Sequence, residues 1–152
     1  MDIEQEMQQM YADLFEAAAI GRQQGEQMAS SVGQTQARWQ TMWTIESAPL
    51  TVPQVARRLG VSRQNIQRIA DELRREQLLC LIDNPDHKTS PLLHLTDAGR
   101  KDLAAINAAA EDAHQRMLAH FSQRDVKTFR ALLAKFVAAI RAASPDTTPH
   151  AT

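Results

Sequence analysis

Six polar side chains cluster at the start of one predicted helix, and their types suit hydrogen bonding to the edges of nucleic-acid bases. They are Ser62, Arg63, Gln64, Asn65, Gln67 and Arg68. Arginine can pair bidentately with guanine, and glutamine or asparagine with adenine, in the major groove of DNA. The serine stands where it can cap the helix, and the free N–H groups of a helix start also favour a phosphate. The predicted chemistry is base and phosphate recognition; the alternative is an ordinary solvated helix face.

The elements around this polar face favour the DNA-binding interpretation. Behind it runs an apolar stripe at helical spacing, formed by Ile66, Ile69, Ala70 and Leu73. A second stripe, formed by Val52, Val55, Ala56 and Leu59, predicts a helix just before it. Thr51 and Gln54 have the spacing of a capping box, and Gly60 suits the end of that helix. Two helices joined by a Gly-Val-Ser turn predict a helix-turn-helix.

Charge is segregated along the chain, although 17 basic and 18 acidic residues nearly cancel. Residues 51–70 contain four arginines and no acid, whereas residues 1–30 contain six acids and one arginine. A basic patch on one module is the electrostatic footprint of a nucleic-acid-binding surface. The acidic amino-terminal segment is expected to lie away from DNA.

The order of these elements resembles the MarR (multiple antibiotic resistance regulator) family of bacterial winged-helix regulators. The resemblance is carried by residues 33–45, 50–79 and 84–99. It implies a mainly α fold with a small β-wing, in which a winged helix-turn-helix is flanked by amino- and carboxyl-terminal dimerisation helices. We expect one MarR-like domain over residues 1–152, with the DNA-binding lobe at 34–99 and dimerisation helices at 1–31 and 100–143.

The resemblance also implies a DNA contact through the tip of a two-stranded wing, at His87 and Lys88. Asn84, Pro85 and Asp86 favour a turn there, and an exposed hairpin tip without a DNA role is the alternative. The family commonly has arginine where this chain has Lys88. Lysine lacks the planar guanidinium that suits a narrow minor groove, so the contact is expected to be weaker.

The terminal helices carry apolar stripes that one small lobe could not cover. The predicted dimer interface contains Ile3, Met7, Met10, Leu14, Phe129, Leu132, Leu133, Phe136 and Ile140. The stripe after the wing continues through Leu103, Ile106, Ala110, Met117 and Phe121, and Ser122 and Asp125 indicate the start of the last helix. Residues 144–152 have no apolar period and are expected to form a flexible tail.

A small, often aromatic, effector binds between the dimerisation helices and the lobe in the resembled family. The residues expected to line such a crevice here are Tyr11, Phe15, Arg38, Trp39, Met42 and Trp43. The alternative for each apolar member is the ordinary core where the first two helices meet the lobe.

The remaining residues give no sign of an enzyme, a metal site or a cofactor. The five histidines are scattered, and no nucleophile elbow, phosphate loop or paired carboxylates occur. The single cysteine, Cys80, is expected to be a small buried hydrophobe, and with no apolar run long enough for a bilayer we expect a cytoplasmic protein. The sequence predicts a homodimeric regulator, more specifically a repressor of a pseudo-palindromic double-stranded DNA operator, released by a small ligand. A constitutive DNA-binding or protein-interaction module without an effector is the alternative.

Overall fold

A computed structural model describes residues 2–144 of the chain. Its elements follow the predicted order: α1 Ile3–Ser30, α2 Gln36–Glu46, β1 Leu50–Thr51, α3 Val52–Leu59, α4 Arg63–Arg75, β2 Leu79–Ile82, β3 Leu92–Leu95, α5 Asp97–Leu118 and α6 Gln123–Ala143. The predicted fold class, mainly helical with a small wing, is confirmed. The chain divides into two compact units, Met1–Glu111 and Asp112–Thr152.

Local hydrogen bonds set the ends of the helix pair α3 and α4. The Thr51 hydroxyl accepts from the backbone of Gln54 while the Gln54 side chain accepts from the backbone of Thr51, so the predicted capping box is present. Gly60 ends α3 with φ at 66°, in the left-handed region where a Cβ is unfavourable. Ser62 then caps α4 by accepting from the N–H of Asn65 at 3.1 Å. The predicted boundaries of the helix-turn-helix are therefore confirmed.

The predicted two-stranded wing is present as β2 and β3, and one further strand joins their sheet, in the order β1-β3-β2. The extra strand is Leu50–Thr51, which pairs antiparallel with β3. Two residues are too few to show the alternating pattern that identifies a strand. Strands β2 and β3 pair antiparallel with Leu81 opposite Leu93.

The hydrophobic core lies between α2, α3, α4, α5 and the sheet. All four residues of the predicted α4 stripe are buried, together with Leu103 and Ile106 of α5. The amino-terminal half of α5 therefore belongs to the core of the first unit, within the range 100–143 that the sequence assigned to a dimerisation region. The first turn of α5 packs closely against the backbone of Leu78 at Gly99, because a Cβ there would lie 2.0 Å from the carbonyl oxygen of Leu78.

The long terminal helices leave apolar side chains exposed. On α1 the exposed fractions are 83% for Ile3 and 73% for Phe15. None of the described residues of α6 is buried. Most of the predicted tail, residues 145–152, lies outside the described residues. Over the part of the chain that the structure describes, no helix is both long enough and apolar enough to cross a membrane.

Candidate DNA-binding surface

The amino-terminal turn of α4 carries two exposed side chains that make no hydrogen bond or ion pair with the described residues. Arg63 and Gln64 are exposed. Within residues 2–144 neither side chain makes an ion pair or a hydrogen bond. Ser62 is exposed at the cap itself, where backbone N–H groups point out of the helix. This end of α4 can therefore offer a guanidinium, a carboxamide and backbone donors to a ligand.

One turn further along α4, the polar side chains are engaged with one another. Arg68 donates to Glu72 at 2.5 Å and to the Asn65 side chain at 3.2 Å. Gln67 donates to Asp71 at 3.1 Å. These are exposed contacts within one helix, which are weak in water. Arg68 and Gln67 can reach a base only after their hydrogen bonds to Glu72 and Asp71 break.

A groove of about 770 Å³ separates α4 from the wing and from the start of α3. Four of the predicted base-reading residues line it: Arg63, Gln64, Gln67 and Arg68. Thr89, Ser90 and Pro91 line its other side, so α4 and the wing loop face the same open space. The structure thus brings four of the eight residues predicted for DNA binding to one groove; Ser62, Asn65, His87 and Lys88 are not among its lining residues.

The wing tip is shaped by Asn84. Its side chain accepts from the N–H of Asp86 at 3.0 Å and donates to the carbonyl of Ser90 at 2.9 Å, which closes the loop. His87 is exposed and its ring contacts the Thr89 hydroxyl at 3.1 Å. Lys88 is exposed and has no partner among the described residues. The ammonium at the tip is therefore free to meet a phosphate.

A contact that the sequence analysis missed joins this surface to α2. The two terminal nitrogens of Arg38 donate to the two carboxylate oxygens of Glu76, the residue that ends α4. The hydrogen bond from Arg38 lowers the pKa of Glu76, and that bond together with nearby acids raises the pKa of Arg38. No local pattern indicates the pair, since its partners are 38 positions apart.

The six residues predicted for an effector crevice have different surroundings in the single chain. Met42 is fully buried in the hydrophobic core, and Trp39 packs against that core while its indole N–H donates to Asn107 at 2.9 Å. Arg38 is engaged with Glu76. Trp43 is 63% exposed and lines a separate groove of about 440 Å³ with Leu59 and Arg58. For Met42 the structure favours the ordinary-core alternative, because no surface of its side chain is accessible.

Tyr11 and Phe15, the other two predicted crevice residues, stand exposed on α1. Their exposed fractions are 39% and 73%. Neither lines the groove beside Trp43.

Cys80 is half-buried, whereas the sequence predicted a small buried hydrophobe. The physical reason is that β2 is an edge strand, so its side chains lack neighbours on one side. Cys80 is paired in register with His94. Among the described residues, no group of three or more histidine, cysteine, aspartate or glutamate side chains could hold a metal ion.

Comparisons with known proteins agree with this geometry. A family model described as the MarR family matches residues 33–88. Uncharacterized proteins of Mycobacterium tuberculosis and Mycobacterium bovis are 42% identical over 140 residues, which is 92% of this chain and 98% of each relative.

Two solved structures have similar folds. The transcriptional regulator BldR of Sulfolobus solfataricus has a TM-score of 0.81 at 16% identity, over 91% of this chain and 99% of that one. A mutant of MarR from E. coli, in complex with operator DNA, has a TM-score of 0.70 at 20% identity, over 90% of this chain and 99% of that one. The chain belongs to the MarR family, and its fold is that of these two solved structures.

Proposed function

We propose that this protein is a sequence-specific DNA-binding regulator that inserts α4 into the major groove. The observation that carries the proposal is the amino-terminal turn of α4, where exposed Arg63 and Gln64 have no partner among residues 2–144 and share a groove with the wing loop. Donors and acceptors left free at an exposed helix start match what base edges and phosphates require. Lys88 at the wing tip would add a phosphate or minor-groove contact, supported by His87.

The regulator is proposed to act as a two-fold homodimer. A pseudo-palindromic operator places two half-sites about one helical turn, ~10 bp, apart, so two copies of α4 must be held at that spacing. The exposed apolar faces of α1 and α6 support this, since Phe15, Phe129 and Leu132 are each more than half exposed in the single chain. A second copy would cover such faces by an isologous contact.

The finer part of the proposal is a repressor that a small aromatic ligand releases from DNA. Its support is the groove beside Trp43, where an exposed indole and Leu59 form apolar walls and Arg58 and Glu46 supply polar groups. Such a ligand would bind more tightly to a dimer in which the two α4 helices do not match the operator. DNA affinity then falls by an amount set by the difference between the ligand's affinities for the two forms of the dimer.

The DNA-binding proposal is tested by selecting bound fragments from the source genome and measuring affinity for the selected operator at fixed salt. Gln64→Ala and Arg68→Ala should each cost about 1–3 kcal/mol on that operator, about 5- to 150-fold, while the melting temperature stays unchanged. Gln40→Ala and Arg22→Ala, at exposed positions on α2 and α1, are the matched controls. Wild-type affinity in both α4 variants would exclude α4 as the recognition helix.

The effector is tested by a thermal-shift screen with aromatic compounds, followed by operator binding. A ligand of the proposed kind raises the melting temperature, weakens operator binding and loses both effects in Trp43→Ala. If no compound changes operator affinity, the constitutive DNA-binding alternative is favoured.

A further inference from the structure

The point where α4 passes into the wing is held by one side chain of α2. Arg38 meets Glu76 through both terminal nitrogens, with Nη1 at 2.9 Å from Oε1. The Arg38 side chain is 13% exposed, whereas that of Glu76 is 50% exposed. A planar guanidinium bound to both carboxylate oxygens fixes direction as well as distance, because the fork allows only one in-plane approach.

Glu76 itself occupies a fixed place in the chain. The N–H groups of Gln77 and Leu78 bond back to the carbonyls of Arg74 and Leu73, each at 2.9 Å, which closes the end of α4. Gln77 adopts a φ of 60°, and its carbonyl accepts from the Thr96 hydroxyl at 2.7 Å. Strand β2 begins at Leu79. Whatever holds Glu76 therefore holds both α4 and the wing.

The first turn of α2 is tied equally firmly to the other helices of this unit. Glu26 of α1 accepts from the backbone N–H of Gln36 at 3.0 Å. On the side of α5, Trp39 donates to Asn107 at 2.9 Å, and Gln34, just before the helix, donates to Asp102 at 2.6 Å. A movement of α1 or α5 would therefore be passed to α2, and Arg38 is the polar link from α2 to α4.

We propose that Arg38 and Glu76 form a positioning pair, which sets the direction of α4 and the wing relative to α1, α2 and α5 and so determines how well two α4 helices match an operator. The proposal rests on the DNA-binding function proposed above. Neither residue is assigned a contact with DNA; both act through the placement of α4.

Geometry shows why a polar anchor at this end matters. Helix α4 has 13 residues and is about 20 Å long, at 1.5 Å per residue. A tilt of about 3° at Glu76 would displace Arg63 and Gln64 by about 1 Å, enough to spoil a bidentate hydrogen bond. Apolar packing of the buried stripe sets the crossing of the helices, and the planar fork of Arg38 adds a directional contact at this end of α4.

The test uses Arg38→Met in the full-length protein, with DNA binding measured on the selected operator and on random duplex DNA. Without Arg38 the half-exposed Glu76 can be solvated, so the variant should fold. We expect operator affinity to fall about 2- to 30-fold, the range for substitutions that alter coupling without touching a ligand. Affinity for random DNA and the salt slope should match those of the control, because no phosphate contact is lost.

The matched control is Arg74→Met, which removes an equal charge from an exposed ion pair within α4, with Asp71 at 3.6 Å. A second readout is operator spacing: Arg38→Met should discriminate less than wild type against half-sites moved by one base pair. In Arg38→Met/Glu76→Met the loss should not exceed that of Arg38→Met alone, since both substitutions break the same contact.

A purely structural role would predict a different pattern. Partial unfolding lowers binding to operator and random DNA by the same factor, so a folded Arg38→Met protein with the wild-type ratio of the two affinities would overturn the proposal. If that variant does not fold, Arg38→Lys keeps the charge without the fork, and the same criterion applies to it. Failure of the DNA-binding function itself would appear earlier and separately, as a wild-type protein that selects no operator.

Discussion

Replacing Phe129 by alanine should weaken the proposed dimer by a factor that follows from its exposure. Phe129 lies on α6 and is 64% exposed in the single chain. Burying a whole phenylalanine side chain contributes about 1.5–3 kcal/mol, so the exposed part offers about 1–2 kcal/mol per copy. Phe129 occurs twice in a two-fold interface, so the substitution should cost about 2–4 kcal/mol of dimerisation free energy. The dimer dissociation constant would then rise about 30- to 900-fold.

Sedimentation velocity over a range of concentrations measures this constant directly. Lys127→Ala is the control, because it truncates an exposed polar side chain on the same helix. Leu133→Asp, one turn beyond Phe129, should have a larger effect and dissociate or unfold the dimer, since a carboxylate buried without a partner is costly. Operator binding should be lost with it, although Leu133 is not expected to contact DNA.

The reasoning is refuted by either of two results. One is a wild-type protein that remains a folded monomer at micromolar concentration. The other is a Phe129→Ala protein whose dissociation constant equals that of Lys127→Ala, which would mean that this face of α6 is covered by something other than a second copy.

Three further predictions concern the DNA-binding surface and its anchor. Lys88→Ala should weaken operator and random DNA about equally and reduce the salt slope by about one, whereas Lys88→Arg should bind at least as well as wild type; unchanged slopes would remove the wing from the interface. Glu72→Gln should raise operator affinity about 2- to 5-fold by freeing Arg68 from a surface ion pair, and a decrease would contradict this. Arg38 lowers the pKa of Glu76. The pair therefore stabilises the folded protein at pH values above the unfolded pKa of about 4.3, and this stabilisation is lost as the pH falls through the folded pKa. In denaturant titrations the excess stability of wild type over Glu76→Gln should therefore shrink as the pH falls below the unfolded value, and a constant difference would be evidence against the pair.

The parts of the fold that depend on neighbouring residues could be predicted from the sequence. The capping box at Thr51, the left-handed Gly60 and the cap at Ser62 each involve residues within four positions of one another. The buried α4 stripe follows from helical periodicity alone. These local rules were sufficient to locate the helix-turn-helix and its exposed polar face.

The parts that depend on distant residues could not. Arg38 was predicted as a polar group for a ligand, but its partner Glu76 lies on another helix, and nothing in either local sequence identifies the other. Trp39 and Trp43 have the same type and lie one turn apart, yet one packs against the core and the other is 63% exposed. Helical spacing placed both on one face but could not show how far the neighbouring helices extend along it.

The distribution of charge along α4 adds an argument about its orientation on DNA. Residues 63–70 carry two arginines and no acid, whereas residues 71–76 carry three acids and two arginines. The helix dipole adds positive potential at the amino-terminal end, so both terms direct that end towards phosphate and the carboxyl-terminal end away from it. The acid nearest the carboxyl-terminal end, Glu76, is the one that Arg38 binds on α2. We infer that this distribution of charge serves two purposes. The acid-free start of α4 places its arginines where they attract phosphate. The carboxylate of Glu76, which would repel DNA, lies at the other end of α4 and anchors the helix to α2.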